Sequence, residues 1–281
     1  MSIDVAAAAQ LACLLEACAP KPGNVSPGRH FGDTRFEHFL ASAAAIGIPF
    51  ADAHERPLGD TIRIAVEATA QWTRSNTNLG LILMMAPVAR AALLYRRPDL
   101  RGAVRDVLNA TTNDDARQTY RAIRMAAPGG LGRVPAEDVS RVPTVTLLEA
   151  MQLASNRDGI AREYATGYEA TFSIGVPGLR EARRAGLPWD DAVVETFLQL
   201  LSIRPDTHIM RRGGEELARA VTSRAADVVS AGGVRTDAGR SALATLDAFL
   251  RADGNIANPG TTADVTATSI FAFLLNGGWA T

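Results

Sequence analysis

The segment RPDTHIMRRGG, residues 204–214, gathers side chains that suit both proton transfer and phosphate binding. Asp206 and His208 are two residues apart, so the carboxylate could orient the imidazole, or either group could accept a proton from a substrate hydroxyl. Arg211 and Arg212 could fork onto phosphate oxygens, and a flexible glycine pair follows them. The pattern indicates a catalytic, phosphate-binding loop, with a solvated surface turn as the alternative.

The turn PKPGNVSPGRH, residues 20–30, contains the only lysine of a chain that has 29 Lys and Arg residues. A lysine retained in this arginine-rich background indicates a position that needs a compact ammonium group. Prolines and glycines stiffen the turn, so we expect Lys21 and Asn24 to project from it and Lys21 to contact phosphate. The alternative is a solvated connector with two ordinary polar residues.

The segment SNTNLG, residues 75–80, places four polar side chains before an apolar helix. One such side chain is enough to cap a helix, so the others are available for another purpose. The free N–H groups and the positive dipole end of a helix N-terminus suit an anion. We expect Asn76, Asn78 and Gly80 to help bind a nucleotide.

Three carboxylates fall in the predicted first turns of helices. Asp114 and Asp115 begin one helix and Asp264 begins the last, positions that the helix dipole favours even without a ligand. Carboxylates near a triphosphate also hold Mg²⁺. We therefore predict that two or more of these residues bind the metal, with simple dipole stabilisation as the alternative.

The composition is that of a globular protein, because 47% of the 281 residues are hydrophobic and 21% are charged. The net charge of −1 gives no global attraction for nucleic acid or for an anionic membrane, so we expect neither as a partner. Any anion site must be built locally.

The N-terminal and apolar segments favour a cytoplasmic protein. Cys13 and Cys18 lack zinc-site or CxxC spacing and are expected to be reduced thiols. The first twenty residues carry no lysine or arginine, unlike a signal peptide. The apolar run at 79–89 is too short to cross a bilayer and contains Pro87.

Apolar residues recur at helical spacing in almost every long segment, and alternating strand patterns of useful length are absent. We expect an all-α fold, a single globular domain over residues 1–281 with roughly ten or more helices. The predicted helices cover residues 3–18, 34–47, 58–72, 78–95, 99–109, 113–126, 145–154, 158–169, 188–203, 215–231, 237–252 and 262–276. The polar segments fall between them, where binding residues commonly lie. The apolar helices at 79–94 and 265–275 fit either the core or the face of a homo-oligomer.

Taken together, these segments resemble the triphosphoribosyl-dephospho-CoA synthase family. The matching pieces, in the family's order, are EACAPKPGNVSPGRH, SNTNLGLILMMAPVA, PDTHIMRRGG and NPGTTADVTATSIFAFLL. The resemblance implies an all-helical transferase that joins C1′ of the ATP ribose to the 2′-hydroxyl of 3′-dephospho-CoA and releases adenine. The residues that lie in the matching motifs are Lys21, Asn24, Asn78, Gly80, Asp206, His208, Arg211, Arg212, Gly213 and Asp264.

The resemblance weakens in the central region. Members that serve citrate lyase read Gly-Ala-Arg-Gly-Glu-Ala there, followed by Gly-Phe-Pro, whereas this chain reads AAPGGLGRVPAED. The arginine and glutamate of that pattern are missing or displaced to Arg133 and Glu137. We therefore expect a divergent member, whose acceptor is dephospho-CoA or a related cofactor precursor.

The chemistry of such a reaction assigns a role to each candidate. Lys21, Arg211 and Arg212 would bind the triphosphate together with Mg²⁺. Asp206 or His208 would deprotonate the attacking hydroxyl, and Asn78 would donate a hydrogen bond to a ring nitrogen of the departing adenine.

Other classes remain open from the sequence. They are a nucleotide N-glycosidic hydrolase with water as the acceptor, a non-catalytic helical protein that binds a nucleotide or cofactor, and a purely structural helical protein.

Overall fold

The structure, a computed structural model, describes residues 4–32, 34–95 and 97–280, in which the regular secondary structure is helical. The helices are α1 (Val5–Cys18), α2 (Phe36–Ala45), α3 (Gly47–Ala51), α4 (Leu58–Ala70), α5 (Leu79–Tyr95), α6 (Leu100–Asn109), α7 (Asn113–Ala126), α8 (Leu147–Ala154), α9 (Gly159–Thr166), α10 (Val176–Arg184), α11 (Trp189–Leu201), α12 (Thr207–Ser230), α13 (Asp237–Arg251) and α14 (Gly260–Leu275). A π-helical turn at Thr171–Gly175 leads into α10, and 3₁₀ turns cover Gly233–Arg235 and Gly278–Ala280. Within these ranges there is no strand, only an isolated bridge between Ser26 and Arg29. The predicted all-α class is confirmed.

The two most apolar helices, α5 and α14, form the centre of the core. Both are apolar around most of their circumference, and most of their side chains are buried. An all-round apolar helix is stable in water only when neighbouring helices cover it. From the sequence, both helices fitted either the core or the face of a homo-oligomer. The structure places them in the core. A homo-oligomer stays a prediction.

A proline inside α5 is accommodated by two buried tyrosines. Pro87 has no N–H, so the carbonyl of Leu83 loses its usual helical donor. The hydroxyl of Tyr164 donates to that carbonyl at 2.6 Å, and the hydroxyl of Tyr168 donates to the next carbonyl, that of Met84, at 2.8 Å. Both buried carbonyls therefore have a hydrogen-bond donor, as buried backbone acceptors require.

The structure corrects the predicted elements at α3, which extends beyond the predicted end of the second helix, at α10 and at 204–214. The helix α10 was not predicted, because the sequence GVPG at its start looks like a turn; proline is nevertheless tolerated in the first turn of a helix. The segment 204–214 was predicted to be a loop, but it is helical from Thr207 onward. The helix breaks at Gly214, where φ is 89°, a conformation that favours glycine.

Among the described residues, no single helix combines the length and hydropathy needed to span a bilayer. The bent pair α5 and α6 meets those criteria only when the two helices are taken together.

Candidate functional site

The first turns of α5, α9, α12 and α14 meet in the interior. The hydroxyl of Thr207 at the start of α12 accepts a hydrogen bond from the amide of Gly159 at 2.9 Å and lies 3.1 Å from the hydroxyl of Thr261. A Cβ on Gly80 in α5 would lie 1.9 Å from a carboxyl oxygen of Asp264 in α14. We call these four first turns the N-terminal cluster. Their dipoles all bring positive potential to one place.

Asp206 holds two helices of the N-terminal cluster together. It is buried, and its Oδ1 accepts from the amides of His208 and Ile209, which caps α12. Its Oδ2 accepts from the amide and the hydroxyl of Thr262, in the first turn of α14, at 2.7 Å each. Both oxygens are therefore engaged in the fold. This geometry favours a positioning role over the predicted role of general base.

His208 presents an unsatisfied nitrogen in the same cluster. Its ring packs where a Cβ on Gly260 would lie, 3.2 Å from the imidazole Cγ and Nδ1, and its buried Nε2 has no hydrogen-bond partner. Burial lowers the pKa of the imidazole, and the nearby cations Arg211 and Arg212 lower it further, against the opposing effect of Asp206. His208 is therefore neutral at pH 7, the form that can accept a proton.

Arg211 lies one helical turn after Asp206 and is mostly buried. Its Nη1 donates to Asp158 Oδ2 at 2.6 Å, while its Nε is buried without a partner. The other oxygen of Asp158 accepts from the amide of Ala161 and caps α9. The loop after α7 covers the arginine, because a Cβ on Gly130 would lie 3.2 Å from Arg211 Cβ.

Asp264 supplies to the cluster a carboxyl group without a partner among the described residues. It lies deep between α14 and α5 with part of its surface open, and its carboxyl has no hydrogen-bond or ion-pair partner among the described residues. Desolvation raises its pKa well above the usual value, and the carboxylates of Glu16 and Asp206 raise it further, whereas Arg211 acts in the opposite direction. A cation bound beside this carboxyl would lower its pKa and stabilise its ionised form.

The structure gives Lys21 a different role from the predicted phosphate contact. The side chain is buried, and its Nζ pairs with the Glu16 carboxylate at 3.0 Å and donates to the backbone carbonyls of Glu16 and Ala19. These carbonyls end α1, where a cation complements the helix dipole. All three ammonium hydrogens are engaged, so the predicted phosphate contact is not supported by this geometry. The compact ammonium that the sequence indicated is needed inside the fold.

The neighbours predicted to help bind the nucleotide differ in accessibility. Asn24 is buried and its amide donates to the carbonyl of Pro22 within the turn. Arg212 is exposed and donates to Asn255 Oδ1. Gly213 is exposed just before the break in α12. Arg212 thus remains a residue that a ligand could reach.

Asn76 and Asn78 line a cleft of about 260 Å³ beside the N-terminal cluster. The Oδ1 of Asn76 accepts from the amide of Leu79 at 3.2 Å, so Asn76 supplies the cap that α5 needs. Asn78 is buried, and its Nδ2 donates to the carbonyl of Ser42 and to Thr69 Oγ1. Both Nδ2 hydrogens are engaged, which leaves none for the predicted bond to adenine.

Asp114 and Asp115 make their contacts within α7 and with α4 rather than with Asp264. Asp114 pairs with Arg117 on the surface. Asp115 is buried, with Oδ1 accepting from the amide of Gly59 at 2.7 Å and Oδ2 from the amide and hydroxyl of Thr112. Both of its oxygens serve as caps, which does not suit a metal ligand.

Within the described ranges, no group of three or more His, Cys, Asp or Glu side chains has the arrangement of a metal site. The three carboxylates Asp114, Asp115 and Asp264, two or more of which were predicted to bind the metal, are therefore not brought together as one group.

Two residues of the site were missed by sequence reasoning. Glu16 is a charged residue in the apolar helix VAAAAQLACLLEAC, and a charge on a helix that must be buried requires a partner. Asp158 stands before a helical pattern as an N-cap, a position that leaves one carboxylate oxygen free for a cation. Both signals were present in the sequence, but neither indicates which residue is the partner.

The fold and the site define an all-helical protein with charged groups gathered where several helices begin. Residues 2–281 match the model of the CitG family, described as ATP:dephospho-CoA triphosphoribosyl transferase, and the chain belongs to that family.

Individual relatives agree with this assignment. A Pseudomonas fluorescens (strain Pf0-1) protein, assigned as 2-(5′′-triphosphoribosyl)-3′-dephosphocoenzyme-A synthase, is 29% identical over 80% of this chain and 68% of its own length. The Klebsiella pneumoniae synthase of that name is 31% identical over 113 residues, 40% of each chain, so the match spans less than half of that relative. The crystal structure of an Archaeoglobus fulgidus protein, assigned as triphosphoribosyl-dephospho-CoA synthase, superposes with a TM-score of 0.66 at 28% identity. That match covers 85% of this chain and 99% of the other.

Proposed function

We propose that this protein transfers the triphosphoribosyl group of ATP to the 2′-hydroxyl of 3′-dephospho-CoA, or of a related precursor, and releases adenine. The observation that carries the proposal is the meeting of Arg211, neutral His208 and the partner-free Asp264 in the N-terminal cluster. These groups supply a cation, a proton acceptor and a carboxylate in one place. Membership of the family adds support for the substrate pair.

The triphosphate, with roughly four negative charges, requires concentrated positive potential. The converging helix starts provide the positive ends of their dipoles. Arg211 now pairs with Asp158 and can transfer its donors to a phosphate, for which its unpartnered Nε is already available. Arg212 is exposed one residue further along and can join it.

Magnesium fits this site through one carboxylate. Mg²⁺ is commonly held by one or two carboxylates together with substrate phosphates. The open carboxyl of Asp264 suits that arrangement, and a cation there would favour its ionised form. When bound, the metal would neutralise charge on the triphosphate; Asp115 is excluded as its ligand because both of its oxygens are engaged.

The reaction breaks the bond between C1′ and the adenine nitrogen and forms a bond between C1′ and the acceptor oxygen. The proton of the 2′-hydroxyl must leave, and adenine must gain one. We assign the acceptance of the hydroxyl proton to His208 Nε2, because that atom has no partner and the ring is neutral. Asp206 fixes the backbone that carries His208. Because both substrates are metabolites of the cell interior, the proposal places the reaction in the cytoplasm.

The test is incubation of the full chain with ATP, Mg²⁺ and dephospho-CoA, followed by mass spectrometry of adenine and of the coupled product. Arg211→Ala should lower product formation at least about tenfold, since it removes a charge-assisted phosphate contact. Arg117→Ala is the matched control, because that arginine forms a surface pair with Asp114 away from the cluster.

Equal amounts of adenine and coupled product would support transfer. Free adenine in the same amount with and without dephospho-CoA would instead show a hydrolase. ATP binding without adenine release would show a binding protein, and either result would overturn the proposal.

A further inference from the structure

The cleft that contains Asn78 has a mixed lining. Its apolar lining residues are Val66, Ala70, Leu79, Met125 and Ala126. Its polar lining residues include Thr69, Thr73, Arg74, Asn76, Thr77 and Asn78. At about 260 Å³ the cleft can hold a small flat ring system with an apolar face and a polar edge.

The position of the cleft relates it to the N-terminal cluster. Asn78 is two residues before Gly80, whose Cα lies against the Asp264 carboxyl. The lining residues Met125 and Ala126 end α7, and the loop that follows reaches Arg211 through Gly130. A ligand with its charged groups at the cluster can therefore extend its uncharged end towards Asn78.

The surroundings of Asn78 fix the orientation of its amide. Nδ2 is 3.4 Å from the carbonyl oxygen of Ser42, which can only accept a hydrogen bond. Nδ2 is also 3.0 Å from Thr69 Oγ1, whose own hydrogen is donated to the carbonyl of Ala65 at 3.1 Å. Both neighbours act as acceptors, so the NH₂ group must face them. A flipped amide would set oxygen against oxygen and lose both bonds.

This orientation leaves Asn78 Oδ1 as the atom on the cleft side, without a hydrogen-bond partner among the described residues. A fixed acceptor in a small cleft selects a ligand that donates at that point. A ligand with a carbonyl in the same place would leave two acceptors facing each other, which is strongly unfavourable in a buried site.

We infer that this cleft binds the purine base and that Asn78 Oδ1 accepts a hydrogen bond from the 6-amino group. Asn78 is thereby a specificity-determining residue, which admits adenine and rejects 6-oxo purines. The inference rests on the proposed use of ATP and adds the physical basis of base selection. Thr69 is the positioning residue, because it holds the Asn78 amide in the selective orientation.

The test compares equilibrium binding of ATP and ITP, measured by calorimetry with Mg²⁺, because ITP differs in carrying a 6-oxo group. Wild-type protein should bind ATP at least about 10²-fold more tightly, as expected for a site built around one buried polar contact. Thr69→Val should reduce this ratio about tenfold, because the amide loses one of the two acceptors that orient it. Asn78→Leu should reduce it to near unity.

Thr61→Val is the matched control. Thr61 lies in the same helix, is buried, and donates to a carbonyl four residues earlier, as Thr69 does, but it does not line the cleft. Its ATP to ITP ratio should equal that of the wild type. Circular dichroism and thermal unfolding of each variant establish that it folds.

Equal affinity of the wild type for ATP and ITP, or equal ratios for Thr69→Val and Thr61→Val, would overturn the inference. Transfer without base discrimination would overturn it while leaving the proposed function intact. Tighter binding of ATP than of ITP, without any transfer to dephospho-CoA, would overturn the proposed function and leave the inference intact. Absence of binding to either nucleotide would overturn both.

Discussion

Asp206 ties α12 to α14, because one of its carboxylate oxygens accepts hydrogen bonds from both the amide and the hydroxyl of Thr262, each at 2.7 Å. Its other oxygen caps α12 itself. The position of His208 therefore depends on a carboxylate that must accept on both sides. Asp206 therefore holds together the starts of two helices that are distant in sequence.

Replacement of Asp206 by asparagine is expected to destabilise the protein. Asparagine has one oxygen to accept with, so its NH₂ group must face either the amides of α12 or that of Thr262. The loss should be about 2 kcal/mol or more in the free energy of unfolding, measured with urea. Thr262→Val, which removes only the hydroxyl, should cost less, and the two changes should be non-additive. Unchanged stability together with abolished turnover would restore Asp206 as a base.

Lys21→Met is expected to destabilise the protein rather than to weaken phosphate binding selectively. The change leaves the Glu16 carboxylate buried without its cation, which typically costs about 3–5 kcal/mol. The double variant with Glu16→Gln should recover much of that loss. Urea unfolding of the three variants and ATP binding by the folded fraction are the measurements. Normal stability with ATP affinity reduced more than tenfold would show that the lysine does reach phosphate.

The sequence predicts the fold class correctly because that class depends on local patterns. Helical periodicity predicts α5 and α14, and residue types make Arg211, His208 and Asp264 candidates for the site. The partners of each polar group depend on packing between distant helices. Nothing local shows that the Lys21 ammonium turns inward to the end of α1 or that Asp206 reaches Thr262.

Dependence on contacts between distant helices also explains why the sequence did not predict helices at α10 and at 207–213. Proline and glycine at the start of one helix and glycines near the break in another are local signals of a turn. Tertiary contacts override them: Asp206 caps the short helical stretch after residue 206 and so stabilises what would be a weak helix alone.

Asp264→Asn is expected to stabilise the ligand-free protein at neutral pH. Because the folded-state pKa is raised, the folded protein holds a proton that the unfolded chain releases above its ordinary value of 3.8. Stability is therefore lost as the pH rises from about 4 through the folded-state pKa. The variant should unfold at a higher temperature than wild type at pH 7–8, and the difference should shrink toward pH 4.

Addition of ATP with Mg²⁺ should reverse that order. Wild-type protein should gain thermal stability by ligand binding, and Asp264→Asn should gain little, since it lacks the charged oxygen. Scanning calorimetry at several pH values, with and without nucleotide, measures both effects. A variant less stable than wild type at pH 8 without ligand would contradict the raised pKa.

His208→Gln is expected to remove the acid limb of the pH profile for kcat/KM. Burial keeps the imidazole pKa below its usual value of 6.5, so wild-type activity should fall only as the pH drops below that value and the ring becomes protonated. Glutamine cannot accept the proton as a base, and kcat should decrease about 10²–10⁴-fold. An acid limb that persists in His208→Gln would assign it to another group.

Gly80→Ala is expected to reduce activity through Asp264 while leaving the fold intact. Alanine is favourable within a helix, but its Cβ would lie 1.9 Å from Asp264 Oδ2, so the carboxyl must move. A displacement of about 1 Å in an active site commonly costs about 10²-fold in rate, and we expect a decrease of at least tenfold in kcat/KM. Gly32→Ala, where a Cβ meets no atom within 4 Å, is the control.

The decisive comparison for Gly80→Ala is made in a background that lacks the carboxyl group. If the methyl group acts by moving Asp264, then Gly80→Ala should have no further effect on nucleotide binding once Asp264→Ala has removed that side chain. Independent effects of the two changes on the dissociation constant of ATP would instead show that the methyl group obstructs the ligand itself. Neither Gly80→Ala nor Asp264→Ala introduces a helix-breaking residue into α5 or α14. Thermal unfolding of each variant should therefore show whether its effect is a local displacement or a general loss of packing.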